Sequence, residues 1–149
     1  MLIKNITTLE QLVSKLDNVT DPLDYFNVLN SMNIPFEEFE RYFTWDDENP
    51  TRNCIASTRE YELLLGCWEL GQKSKIQDFN KAQAWTHIIQ GTLKEERYLL
   101  SKNGNGLIKI SSVDLKPGDF SYALNTGIHQ FTNSYEARTV SLILYNKPI

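Results

Sequence analysis

From Asn53 to the carboxyl terminus the chain is written in short runs rich in Ile, Leu, Val, Tyr and Trp, broken by turn residues, and that rhythm restricts it to a β architecture. Asn103-Gly104 and Asn105-Gly106 mark one loop, because these pairs tolerate the positive φ of hairpin turns. Pro117-Gly118-Asp119 marks another. The intervals between these signals suit a barrel.

The first 45 or so residues follow a helical period instead. Thr7 with Glu10 forms a capping box, and Leu9, Leu12, Val13 and Leu16 recur on one face of an amphipathic helix. Asp21 and Pro22 restart the pattern as N-cap and first-turn proline, with Leu23, Phe26 and Met32 behind them. A third short helix is expected after Pro35, where Phe36, Phe39 and Phe43 are read as core packing against the barrel rather than as a ligand pocket. The run Trp45-Asp46-Asp47-Glu48-Asn49-Pro50 is a solvated acidic linker, since adjacent like charges followed by proline suit neither helix nor strand. The expectation is one domain over residues 1–149, with a helical segment at 1–45 packed on a barrel at 50–149.

A net charge of −4 without a cluster of Lys and Arg argues against nucleic acid as a partner. No run approaches the roughly 18 apolar residues of a membrane span, and the amino terminus lacks the apolar core of a signal peptide. The reading is therefore a cytoplasmic, soluble monomer. Cys54 and Cys67 form no metal or redox motif and fit free thiols in a reducing compartment. In that compartment Asn5-Ile6-Thr7 and Asn18-Val19-Thr20 are chance matches to the glycosylation pattern.

Two words carry the chemistry. Between Gly71 and Gly91 the chain has the spacing of a metal-binding motif, with Gln77 and Phe79 at the positions of its two histidines. The second word, PGDFSYALNTGIHQFTN, keeps His129 and, at the usual interval, Asn133. This pair of words resembles the two motifs of the cupin superfamily. Thr51-Arg52-Asn53, Leu63-Leu64-Leu65-Gly66-Cys67-Trp68, Gln90-Gly91-Thr92-Leu93-Lys94-Glu95, Thr126-Gly127-Ile128-His129 and Val140-Ser141-Leu142-Ile143-Leu144-Tyr145 narrow the resemblance to the cysteine dioxygenase family, over about the last hundred residues. It implies a mainly β cupin jelly roll, an antiparallel barrel with a short helical amino-terminal segment.

In that family three imidazoles hold an iron ion that presents a substrate thiolate and dioxygen to one another. Here Gln77 offers a weak amide donor and Phe79 none, which leaves His129 as the one retained ligand. The family's cysteine–tyrosine cross-link corresponds to Ala84 and Tyr145, so no thioether can form. Its Ser-x-His-x-Tyr relay reads Ser141, Ile143, Tyr145, and a family tyrosine ahead of Thr51 is Pro50. Arg52 stands where the family holds the substrate carboxylate, and a guanidinium can grip a carboxylate with two hydrogen bonds without metal. The plainer reading pairs Arg52 with a neighbouring acid. His129 is read as a hydrogen-bonding core histidine rather than an acid or base, and His87 as pointing to the face opposite Ala84. Trp68, Trp85 and Cys67 are read as sheet packing.

These residues point to a cupin without iron or other cofactor that binds a small carboxylate or amino acid such as cysteine, through Arg52, Gln77, Phe79, His129, Ser141 and Tyr145. The alternative is an enzyme. It would be either a thiol dioxygenase with weakly bound iron at an atypical site, or a metal-free cupin using His129 and Tyr145 in acid–base chemistry.

Overall fold

A computed structural model describes residues 5–78, 83–123 and 127–146, with the side chains of 77 and 78 left aside. They fall into two compact units divided between Phe43 and Thr44.

In the first unit, α1 (Leu9–Asp17) buries Leu9, Leu12 and Leu16, the stripe that the period predicts. Its cap lies one residue later than the capping-box reading. Thr8 is the N-cap and its hydroxyl accepts from the Gln11 amide at 3.1 Å, while the Gln11 side chain accepts from the Thr7 amide at 2.8 Å. Gln11 is as able as Glu10 to reach back to the free amides of the first turn, so the pattern allowed both registers. α2 (Asp24–Leu29) also starts late, because Asp21 spends its carboxylate on the Leu23 amide in a turn ahead of the helix. Tyr25 and Leu29 are its buried residues, whereas Leu23 and Phe26 are exposed, contrary to the expected face. Phe36–Tyr42 is a 3-10 helix with Phe39 buried, and Phe36 packs on Phe43 at 5.3 Å between ring centroids. Glu38 accepts from the Leu9 amide at 3.0 Å and so caps α1 from outside the helix.

The second unit is two antiparallel sheets. β1 (Thr51–Ser57), β2 (Tyr61–Trp68), β9 (Thr139–Asn146), β4 (Gln83–Gln90) and β7 (Phe120–Ala123) form a five-stranded sheet in the order β1-β2-β9-β4-β7. β3 (Gln77–Asp78), β8 (Ile128–Asn133), β5 (Leu93–Leu100) and β6 (Leu107–Leu115) form a four-stranded sheet in the order β3-β8-β5-β6. The expected jelly roll is present as two facing sheets rather than as one closed barrel. Between them Trp68, Ile88, Leu93, Leu115 and Phe131 form a core cluster, with Trp68 edge-on to Phe131 at 6.2 Å. Each such side chain contributes roughly 1.5–3 kcal/mol by leaving water.

The glycines and the asparagine of the two motif words are architectural. Gly91 turns the chain from β4 to β5 at φ +83°, where a Cβ would run into Thr139. Asn133 is buried, and its amide donates to the carbonyls of Trp68 (3.1 Å), Glu69 (3.0 Å) and Ala137 (3.0 Å). Its oxygen accepts from the Thr139 hydroxyl at 2.7 Å, so one side chain pins the ends of β2, β8 and β9 together.

Candidate functional site

Register places the family-position residues before any side chain is considered. Across the five-stranded sheet, Glu62 pairs with Tyr145 and Tyr145 with Ala84, and Ala84 pairs with Ala123. The two positions of the family's cross-link are therefore direct neighbours, and it is the missing sulfur, not distance, that separates them. A second row runs Arg52, Gly66, Ser141, Ile88. In the four-stranded sheet a third row runs Gln77, His129, Arg97, Ser111. Gln77 thus sits opposite His129, as the first motif implies. Phe79 lies outside the described residues.

Two clusters result. In the first, Tyr145 packs against Ala84 and Ala123 and takes part in a side-chain hydrogen bond with Arg52, an exposed residue of β1. Burial pushes the Tyr145 phenol above its ordinary value; the Arg52 charge opposes that rise and the Glu62 carboxylate adds to it. The phenol is consequently neutral across the physiological range. Arg52 thus has the Tyr145 hydroxyl as a neighbour.

The second cluster centres on a carboxylate that motif reading passed over. Glu95 and His129 are both buried, and Glu95 Oε2 lies 2.7 Å from His129 Nδ1. Glu95 Oε1 accepts from the Ser121 hydroxyl at 2.6 Å and from Arg97 Nη2 at 3.3 Å. Arg97 Nη2 also donates to the Ser121 hydroxyl at 3.2 Å and to the Tyr122 carbonyl at 2.7 Å. Burial alone would raise the Glu95 carboxyl, but the hydrogen bonds from His129 and Ser121 and the Arg97 charge outweigh it and hold the group below its ordinary range. An ionised carboxylate only accepts, so the proton between the two residues belongs to Nδ1, and in the neutral ring the lone pair is on Nε2. The His129 ring is also braced edge-on by Phe131 at 4.8 Å.

Ser141 is fully buried and accepts from the Trp68 indole at 3.1 Å. Trp68 is thus core, as expected, but on the inner side of the sheet. His87 packs against Phe120, with the ring centroids 4.4 Å apart and the rings tilted by 55°, and pairs in register with Leu142, on the face opposite Ala84, as the alternation predicts. Trp85 packs on Tyr122 at 5.3 Å, and Cys67 is buried with its thiol pushed up by burial. A separate groove of about 530 Å³ lies beside Lys73, Lys94, Lys116, Asp114 and Tyr135, and Arg52, His129, Ser141 and Tyr145 do not line it.

The signal for the Glu95 cluster was present but easily missed. Glu95 and Arg97 are charges two apart on a strand, so alternation puts both on the side of Leu93, which is buried. What no local pattern could show is that Ser121 and His129 would arrive opposite them. Among the described residues, no three His, Cys, Asp or Glu side chains form a group that could hold a metal, and no helix is long and apolar enough to cross a membrane.

Comparison with known proteins agrees with the register. The family profile described as cysteine dioxygenase type I matches residues 2–149. Cysteine dioxygenase type 1 of Rattus norvegicus and that of Homo sapiens are each 30% identical over 115 residues, covering 74% of this chain and 58% of theirs. The Danio rerio protein is 25% identical over 95% of this chain and 75% of its own. The chain thus spans under two thirds of the mammalian relatives' length. Among solved structures, a double-stranded β-helix protein of Klebsiella pneumoniae superposes with a TM-score of 0.61 at 18% identity, covering 72% of this chain and 80% of that one. KdgF from Halomonas superposes at 0.58 and 16% identity, covering 74% and 90%. Family profile, relatives and jelly-roll neighbours converge with the two motif words, and the chain belongs to the cysteine dioxygenase type I family of cupins.

Proposed function

We propose that this protein binds a small carboxylate, of amino-acid size, between its two sheets and does not oxidise thiols at iron. The observation that carries the reading is the clamp on His129. Glu95, which could strengthen the imidazole as a metal ligand, is shared with the Arg97 guanidinium. The carboxylate is thereby committed within the cluster by Ser121 and Arg97, and the position opposite His129 carries Gln77 in place of a second imidazole. The donor set of His129, Gln77 and Phe79 does not fit an iron held by three imidazoles. Loss of a supporting hydrogen bond alone weakens metal binding by about 10–100-fold, and two direct ligands are replaced here.

Arg52 and Tyr145 supply the complementary half: a guanidinium for the carboxylate and a neutral phenol able to donate to it. Such a ligand at about a hundred times its Kd stabilises the fold by about 2.7 kcal/mol, a shift readily seen in a domain of this size. The test is elemental analysis of freshly purified protein together with thermal denaturation in cysteine and related small acids. Iron below about a tenth of an equivalent, no sulfinate above the protein-free control, and a ligand shift abolished by Arg52→Ala are expected. Near-stoichiometric iron with oxygen uptake coupled to sulfinate would establish the dioxygenase instead, and an unchanged shift in Arg52→Ala would place the ligand elsewhere.

A further inference from the structure

The inner face of the five-stranded sheet is the one whose side chains meet the other sheet. Trp68 of β2 packs on Phe131 of β8, and the Ser121 hydroxyl of β7 donates to Glu95 of β5. Strand alternation assigns Glu62, six residues before Trp68, and Ala123, two after Ser121, to that same face. Register agrees, because Glu62, Tyr145, Ala84 and Ala123 form one row across β2, β9, β4 and β7. Arg52 pairs with Gly66, four residues after Glu62, and so belongs to the inner face as well. The alanines bring no polar side-chain atom to the row. Its polar groups are Glu62 and Tyr145, and Arg52 joins them through its hydrogen bond with the phenol.

Glu62 differs from Glu95 in what its carboxylate has left to accept. Glu95 is buried and already meets His129, Ser121 and Arg97. Glu62 is half-buried, and among the described residues no ion pair holds it. Directly opposed side chains on paired strands have Cβ atoms roughly 4.5–5.5 Å apart, which sets Glu62 beside Tyr145. The charge of Glu62 acts on the phenol against that of Arg52. Tyr145 therefore has a cation as its hydrogen-bond partner and an anion as its strand neighbour. A guanidinium alone would accept any small acid. A guanidinium and a carboxylate around one neutral phenol match a molecule that carries a carboxylate and an ammonium on the same carbon. An acid without the amine would bring its negative charge towards Glu62 with nothing to offset it.

We propose that Glu62 receives the ammonium group of the ligand, so that the site selects α-amino acids over the corresponding acids that lack the amine. This rests on the small-carboxylate reading and adds the group that decides among such acids. Arg52 and Tyr145 hold the carboxylate, and Glu62 completes a second charge pair from the neighbouring strand.

Calorimetric titration of the full chain at neutral pH, with a chelator present, tests this with cysteine and with 3-mercaptopropionate, the same acid without its amine. The wild type should bind cysteine at least about tenfold more tightly than 3-mercaptopropionate, the scale of one charge-assisted hydrogen bond. Glu62→Gln keeps the size of the side chain and removes its charge. It should weaken cysteine binding by at least about tenfold and leave 3-mercaptopropionate bound as tightly as before or more tightly. Retained binding of 3-mercaptopropionate also shows that the variant is folded. Arg52→Ala should lose both ligands. A wild type that binds both acids equally, a Glu62→Gln variant that keeps the preference for cysteine, or one that loses both ligands alike would each overturn the role of Glu62 while leaving the small-carboxylate reading in place. A wild type that binds neither acid would overturn that reading and this inference together.

Discussion

At Glu95 three donors share two carboxylate oxygens: the His129 ring on one, and the Ser121 hydroxyl and Arg97 guanidinium on the other. Glu95→Gln keeps the shape but removes the charge that all three were arranged to meet. It should lower stability at neutral pH by about 1–3 kcal/mol, measured by denaturant unfolding. The sign of the pH dependence follows from the direction of the shift. The folded carboxyl is held below its ordinary value of 4.5, so its contribution is present above that pH and is lost as the pH falls through the folded value. The gap between wild type and Glu95→Gln should therefore narrow in acid, and a gap that stays constant would contradict the charge assignment. A second residue-scale prediction concerns donor number. Gln77→His gives two imidazoles opposite one another and should not bind zinc tightly, whereas Gln77→His with Phe79→His supplies three. Calorimetric titration of both variants decides it, and tight binding by the single variant would refute the count.

Elements here are set by where the backbone finds partners. Gly91 is the plainest case, since the β4–β5 turn needs φ +83° and passes against Arg138 and Thr139. Gly91→Ala should cost at least about 1–3 kcal/mol in thermal or denaturant unfolding, from the left-handed backbone and the displaced strand β9 together. Gly118 also has positive φ, but nothing lies near its missing side chain, so Gly118→Ala should cost less than Gly91→Ala. Equal losses would mean that φ alone, and not the contact with β9, makes Gly91 necessary. The helix starts teach the same lesson from the other side. Thr7 and Thr8 were equivalent as letters, and Gln11 chose between them by where its amide could reach.

On the scale of the whole molecule, the two sheets bring a guanidinium–phenol pair and a carboxylate–imidazole–guanidinium cluster into one jelly roll. Occupancy of the space between the sheets by a small acid should raise the melting temperature of the wild type as the acid concentration rises, and should not do so in Arg52→Ala. A rise shared by the variant would separate the guanidinium–phenol pair from the binding site.

The sequence by itself determined the β rhythm after Asn53, the apolar stripe of α1, the glycine turns and the family, because each is encoded in neighbours along the chain or in words of fixed spacing. It also placed Gln77 against His129 and Ala84 beside Tyr145, since the motif words carry the register with them. It did not reveal that Glu95 holds His129, that Ser141 serves Trp68, or that a bulge at Ile110 brings Lys109 onto the face of Asp114. Those facts join residues such as Glu95 and His129, 34 positions apart, or turn on one extra residue in a ladder. Side-chain partners across sheets are selected by burial and hydrogen-bond satisfaction in three dimensions, and only the folded structure could decide them.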